Sequence, residues 1–160
     1  MNKDWLVELL GAEVLPTAGC TEPGAVALAA ATAAKALGKR AERIKVTVNG
    51  NVYKNGIAVG VPGTGETGFE IAAALGAIKA DPTKELAILS EVSQAELADA
   101  RLMLAAGAVT VDVDRSKAYL WIRVRVEAGE DSAEALLEHR HNHLSTLRHN
   151  GVLLRSQEED

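Results

Sequence analysis

The stretch Val109-Thr110-Val111-Asp112-Val113, followed after Asp114-Arg115-Ser116-Lys117 by Tyr119-Leu120-Trp121-Ile122-Arg123-Val124-Arg125-Val126-Glu127, alternates apolar and polar residues. Successive side chains of a strand point to opposite faces, so this period of two predicts half-buried β-strands. Leu120, Ile122, Val124 and Val126 share one face, and Trp121, Arg123 and Arg125 share the other. Asp114 to Lys117 reads as a hairpin loop joining the two strands. Ile44, Val46 and Val48 alternate in the same way with Lys45 and Thr47. Asn49-Gly50-Asn51 then reads as a turn before a short strand at Val52-Tyr53, broken by Lys54-Asn55-Gly56.

Around these strands the periodicity becomes helical. Gly24 to Leu37 is dominated by alanine, opens on Pro23 and stops at Gly38. Proline suits the first position of a helix, where its missing N–H has no intrahelical partner. Phe69 to Lys79 places Ile71, Leu75 and Ile78 on one face, and Gln94 to Ala106 is closed by Gly107. Trp5 to Val14 has helical spacing. Leu86 to Leu89 suits either a short strand or a helix start. Ser132 to Glu138 reads as helix by propensity, with a strand as the other option. Gly151 to Leu154 is a last apolar run. The expectation is one α+β domain over 1–154, with Ala-rich helices packed on a mostly antiparallel sheet and a solvated tail over 155–160.

Composition narrows the function classes. The chain is 48% hydrophobic and 24% charged, which suits a buried core, but only 3% aromatic, so that core must be aliphatic. The net charge of −5 argues against a nucleic-acid binder, which needs a basic face. No apolar run reaches membrane-spanning length, and the first residues lack the pattern of a signal peptide. A single cysteine forms no intrachain disulfide, which points to a reducing cytoplasm.

That cysteine sits in Gly19-Cys20-Thr21-Glu22-Pro23, about one turn before a helix start, where the macrodipole favours a thiolate. A thiolate can attack a substrate or bind a metal, whereas a buried thiol is inert. Glu22 can serve as an acid or base, or simply face the helix dipole. Lys54-Asn55-Gly56 is an exposed turn or a clamp for a small carboxylate. Gly60 to Gly68 is glycine-rich, and Gly63, Gly65 and Gly68 match a dinucleotide pattern. However, Glu66 puts a negative charge where pyrophosphate would sit, and Glu91, near the ribose spacing, is in a segment that does not read convincingly as a strand. The other options are a structural loop, or one whose amides hold a small carboxylate. His139, His141, His143 and His149 are all the histidines. If extended, the first three lie on one side and could bind a metal, and one alone could act as a general base.

Taken together, Gly19-Cys20-Thr21-Glu22-Pro23, Lys54-Asn55-Gly56, Val61-Pro62-Gly63-Thr64-Gly65 and the helix around Ala72-Ala73-Ala74-Leu75-Gly76-Ala77 resemble the N-terminal part of the L-cysteine desulfidase, or serine dehydratase alpha-like, family. The family's His-Thr-Asn-Ile is matched by His141-Asn142-His143-Leu144, with His143 in place of asparagine. The resemblance implies a pyridoxal-independent lyase with a [4Fe-4S] cluster, releasing hydrogen sulfide from L-cysteine or water from L-serine and yielding pyruvate and ammonia. It implies Cys20 as a cluster ligand, Lys54, Asn55, Gly63, Thr64 and Gly65 as substrate-binding residues, and His141 or Glu22 as the base. Three cysteines hold such a cluster in the family, and the others lie in a C-terminal part. The expectation is therefore half of an enzyme, completed by a partner chain or a missing C-terminal segment, with a homo-oligomer also open. The alternative is a non-catalytic domain that binds a small molecule or a partner.

Overall fold

The computed structural model describes residues 21–61 and 64–156. The expected helix at Trp5 to Val14, Cys20, Pro62, Gly63 and the end of the tail lie outside these residues.

A six-stranded sheet forms the base, with β1 (Arg43–Val48), β4 (Val109–Val113), β5 (Trp121–Ala128), β6 (Asp131–Glu138), β7 (Leu144–His149) and β8 (Val152–Ser156) in the order β4-β1-β5-β6-β7-β8. β1 runs parallel to β4, and every other neighbouring pair is antiparallel. The two segments expected to form a hairpin are therefore not neighbours. β1 lies between them, so both ladders of β1 are filled and its Ile44, Val46 and Val48 are wholly buried. The expected helix over Ser132 to Glu138 is instead β6, paired with β5 on one side and β7 on the other. Sheet pairing on both edges overrides the helix propensity of Ala, Glu and Leu there.

The expected faces hold: Ile122, Val124 and Val126 are fully buried under the helices. The opposite face carries charged residues, with Arg123 paired to Glu134 at 3.2 Å and Arg125 to Glu127 at 3.2 Å.

The helical layer begins with α1 (Thr21–Leu37). Ala25, Val26, Ala27, Ala29, Ala30 and Ala31 are all fully buried, so α1 is apolar all round and lies inside the core. It touches β5, β6 and β7 below and α3 (Phe69–Lys79) beside it. Alanine matters here because small side chains let backbones approach. A Cβ added at Gly76 of α3 would sit 2.2 Å from the Ala27 carbonyl oxygen. α4 (Gln94–Ala105) packs on α3 and opens with a capping box between Ser93 and Glu96.

Two local expectations change. Asn49 to Gly56 is not a turn and a strand; Gly50–Gly56 forms a short helix, α2. Val52 is buried there, and the backbone N–H of Tyr53 bonds the Asn49 carbonyl at 3.1 Å. Pro82–Ala87 is a 3-10 turn broken by a kink at Glu85, where φ is 48°, and Asp81 starts it by accepting from the Thr83 N–H at 3.1 Å. Between α2 and α3, β2 (Gly60–Val61) and β3 (Glu66–Thr67) form a small hairpin of their own. Arg155 and Ser156, expected in the solvated tail, belong to β8. Among the described residues no helix is long and apolar enough to cross a membrane.

Candidate functional site

Glu22 stands in the first turn of α1, where the helix dipole favours its negative charge. It is buried, 6% exposed. His141 lies in the turn between β6 and β7, and that turn is tied to the start of β5 by the His139 N–H bonding the Leu120 carbonyl at 3.0 Å. Since α1 packs on β5, β6 and β7, the turn is carried over the helix start. His141 Nε2 then meets Glu22 Oε1 at 3.2 Å. The Tyr119 hydroxyl reaches the same Nε2 at 3.2 Å, with the two rings edge to face.

One ring nitrogen cannot serve both neighbours alike. With a proton on Nε2 it donates to the Glu22 carboxylate. Without one it accepts from the Tyr119 O–H. The position of a single proton thus decides which contact is made. The three groups run from a half-exposed phenol to a buried carboxylate, an arrangement suited to moving a proton between surface and interior.

His139, His141 and His143 do not lie along an extended strand. His139 has a left-handed backbone with φ of 73° and begins the turn. His139 and His143 bring their rings to 6.1 Å while His141 turns to Glu22. His143 is buried, and its Nε2 has no hydrogen-bond partner among the described residues. No group of three His, Cys, Asp or Glu that could hold a metal occurs among the described residues.

The expected substrate-binding residues divide. Lys54 and Asn55 are exposed on the last turn of α2. Gly56 beside them is buried, and a Cβ there would meet the Phe69 ring at 2.4 Å and Glu22 Cβ at 3.0 Å. The glycine of this triplet therefore lets α2 close against Glu22. Thr64 is buried and spent on its own loop: its hydroxyl donates to the Val61 carbonyl at 2.6 Å and accepts from the Glu66 N–H at 3.0 Å. Gly65 has φ of 71°, a left-handed turn that glycine takes without strain. Arg101 covers the loop, bonding the Thr64 carbonyl at 2.7 Å and Glu66 at 3.2 Å. The dinucleotide option loses its ribose acid, because Glu91 lies outside any strand.

Sequence reasoning missed Tyr119, which it read only as the first residue of a strand. It also missed Asn49, which is 2% exposed and locked to Trp121: the Trp121 N–H donates to Asn49 Oδ1 at 3.3 Å. No local pattern marks either residue, since both gain their partners from distant parts of the chain.

Relatives of the chain are known. It is 46% identical over 153 residues to a UPF0597 protein of Oleidesulfovibrio alaskensis, an alignment covering 94% of this chain and 36% of that protein. A UPF0597 protein of Porphyromonas gingivalis is 38% identical, over 93% of this chain and 35% of its own. One from Methanocella arvoryzae is 43% identical over 137 residues, 86% of this chain and 32% of the relative. The chain thus spans about a third of the length of the relatives it matches. No family model matches it, and no solved structure does. These relatives correct the resemblance drawn from the motifs. They bear the name UPF0597 protein, and none carries a cysteine desulfidase or serine dehydratase name.

The cluster that the resemblance implied can be tested against the donor set. A [4Fe-4S] cluster with one open iron needs three thiolates. The chain has one cysteine, Cys20, so its own residues do not fit such a cluster.

Proposed function

We propose that the chain carries the proton-transfer centre of a lyase that eliminates hydrogen sulfide from L-cysteine, or water from L-serine, to leave pyruvate and ammonia. The observation that carries this reading is the contact between Glu22 Oε1 and His141 Nε2 at 3.2 Å. The two residues that sequence alone marked as candidate bases, 119 positions apart, form one hydrogen-bonded pair.

The chemistry follows from the pair. Neutral His141, oriented by Glu22, takes the α-proton of the amino acid, and the carboxylate stabilises the imidazolium that forms. The electron pair left on Cα forms the Cα–Cβ double bond as the β-substituent departs and is protonated. The aminoacrylate tautomerises to an imine, which water hydrolyses to pyruvate and ammonia. No oxidant or reductant is consumed.

A longer assembly supports the same reading, because the relatives run about three times the length matched here. Cys20, joined directly to the first residue of α1, would be one thiolate of a cluster whose others come from outside this chain. The compartment consistent with a free thiol is the cytoplasm.

The test is α-proton exchange in deuterium oxide, followed by NMR on L-alanine and L-serine, together with a pyruvate assay on L-cysteine and L-serine. Exchange or pyruvate that falls about 100-fold in His141→Asn and Glu22→Gln supports the reading. No α-proton exchange in the wild type, or rates unchanged in both variants, overturns it and leaves a non-catalytic binding domain.

A further inference from the structure

A cavity of about 270 Å³ opens between the Asn49–Asn51 corner and the loop from Arg115 to Tyr119. We propose that it is a binding site for a small monocarboxylate, the carboxylate group of the substrate. This deepens the lyase reading and rests on it for the link between ligand and base.

The lining has the chemistry of an anion site. Arg115 and Lys117 bring two cations, and no carboxylate lines the cavity. The nearest acid in sequence, Asp114, does not line the cavity: Ser116 donates to its Oδ1 from the hydroxyl at 2.5 Å and from the backbone N–H at 3.0 Å. Those two hydrogen bonds, with smaller attractions to Lys117 and Arg123, hold Asp114 below the ordinary carboxylate range and keep it an acceptor for Ser116. Lys117 is steadied over the Trp121 ring, its ammonium 5.2 Å from the centroid. Asn49 supplies a neutral donor. Its carbonyl oxygen accepts from the Trp121 N–H, and nothing among the described residues accepts from its Nδ2.

Position ties this cavity to the proton-transfer pair. Tyr119 lines it and also bonds His141 Nε2 at 3.2 Å. In an α-amino acid the reacting C–H is one bond from the carboxylate carbon. A carboxylate held by Arg115 and Lys117 shares its cavity with Tyr119, the residue that touches the imidazole. This assigns the carboxylate to Arg115 and Lys117, which line this cavity, rather than to Lys54 and Asn55, which do not.

The test is an amide NMR titration of the chain with L-serine, pyruvate, L-serinamide and inorganic phosphate. L-serine and pyruvate should shift the amides of 49–51 and 115–119 saturably. L-serinamide, lacking the carboxylate, should bind about tenfold more weakly. Arg115→Ala and Lys117→Ala should each weaken L-serine about tenfold, and Lys117→Arg should retain it. Both residues are exposed, so the variants are expected to fold, and the spectra themselves check this. Equal shifts from serinamide, phosphate binding as tightly as serine, shifts elsewhere, or no saturation would each overturn the site. His141→Asn separates the two readings. Serine bound with no proton exchange in wild type or variant sinks the lyase and leaves the site. Exchange unaltered in Arg115→Ala sinks the site and leaves the lyase.

Discussion

Glu22 and His141 hold each other at 3.2 Å across the junction of α1 with the β6–β7 turn, and Tyr119 approaches the same imidazole nitrogen. Groups that act as one unit lose their effect together. The double variant Glu22→Gln/His141→Asn is therefore expected to exchange α-protons no more slowly than either single variant. Rates that multiply would mean the two residues act separately.

Gly76 and Gly56 mark the closest approaches in the helical layer. At Gly76 the neighbour is the backbone of Ala27, with its carbonyl oxygen 2.2 Å from the position of a Cβ, so one helix must move. Gly76→Ala is expected to destabilise by about 2–3 kcal/mol in chemical denaturation. At Gly56 the neighbours are the Phe69 ring and Glu22 Cβ. Gly56→Ala should therefore disturb the His141 signals as well as the stability, while Gly76→Ala should leave those signals in place.

Acid should loosen the start of α4. Burial raises the Glu96 pKa, but the Ser93 N–H and the Lys79 ammonium outweigh it, so the folded value lies below the ordinary 4.5. A depressed carboxylate stabilises the fold fully above its unfolded value and loses that contribution as pH falls through the folded one. Glu96→Gln is expected to cost about 0.5–1 kcal/mol at pH 7, since glutamine keeps the cap but not the charge. The gap should close as pH falls below 4.5. A gap constant down to acid denaturation would show that the charge contributes nothing.

β8 is an edge strand whose three successive apolar residues are exposed: Val152 at 63%, Leu153 at 46% and Leu154 at 54%. Natural edges usually carry charge or proline to prevent pairing with another chain. Leu153→Lys is expected to change unfolding free energy by less than about 0.5 kcal/mol and to reduce self-association in sedimentation velocity. A large loss of stability would show that Leu153 belongs to the core.

Some of this was legible in the sequence. Ile122, Val124 and Val126 face the core because strict alternation leaves a strand only one way to bury them. The helices over Phe69–Lys79 and Gln94–Ala105 were likewise readable, from apolar spacing and from glycine at Gly107. Ser132 to Glu138 was ambiguous because Ala, Glu and Leu favour a helix when nothing pairs with them. Asn49-Gly50-Asn51 misled because the turn residues Asn and Gly also suit a helix start.

Glu22 and His141 were recognisable one at a time as titratable residues in suggestive contexts, and Tyr119 was not recognisable at all. By itself the sequence determined the local periodicities, the buried faces, and that one cysteine cannot hold a four-iron cluster. These follow from side-chain chemistry and near-neighbour geometry. Only the tertiary structure decided that β1 enters between β4 and β5, and that Glu22, Tyr119 and His141 meet around one nitrogen. Strand order and such convergence depend on pairings between residues far apart in the chain, for which a linear pattern holds no signal.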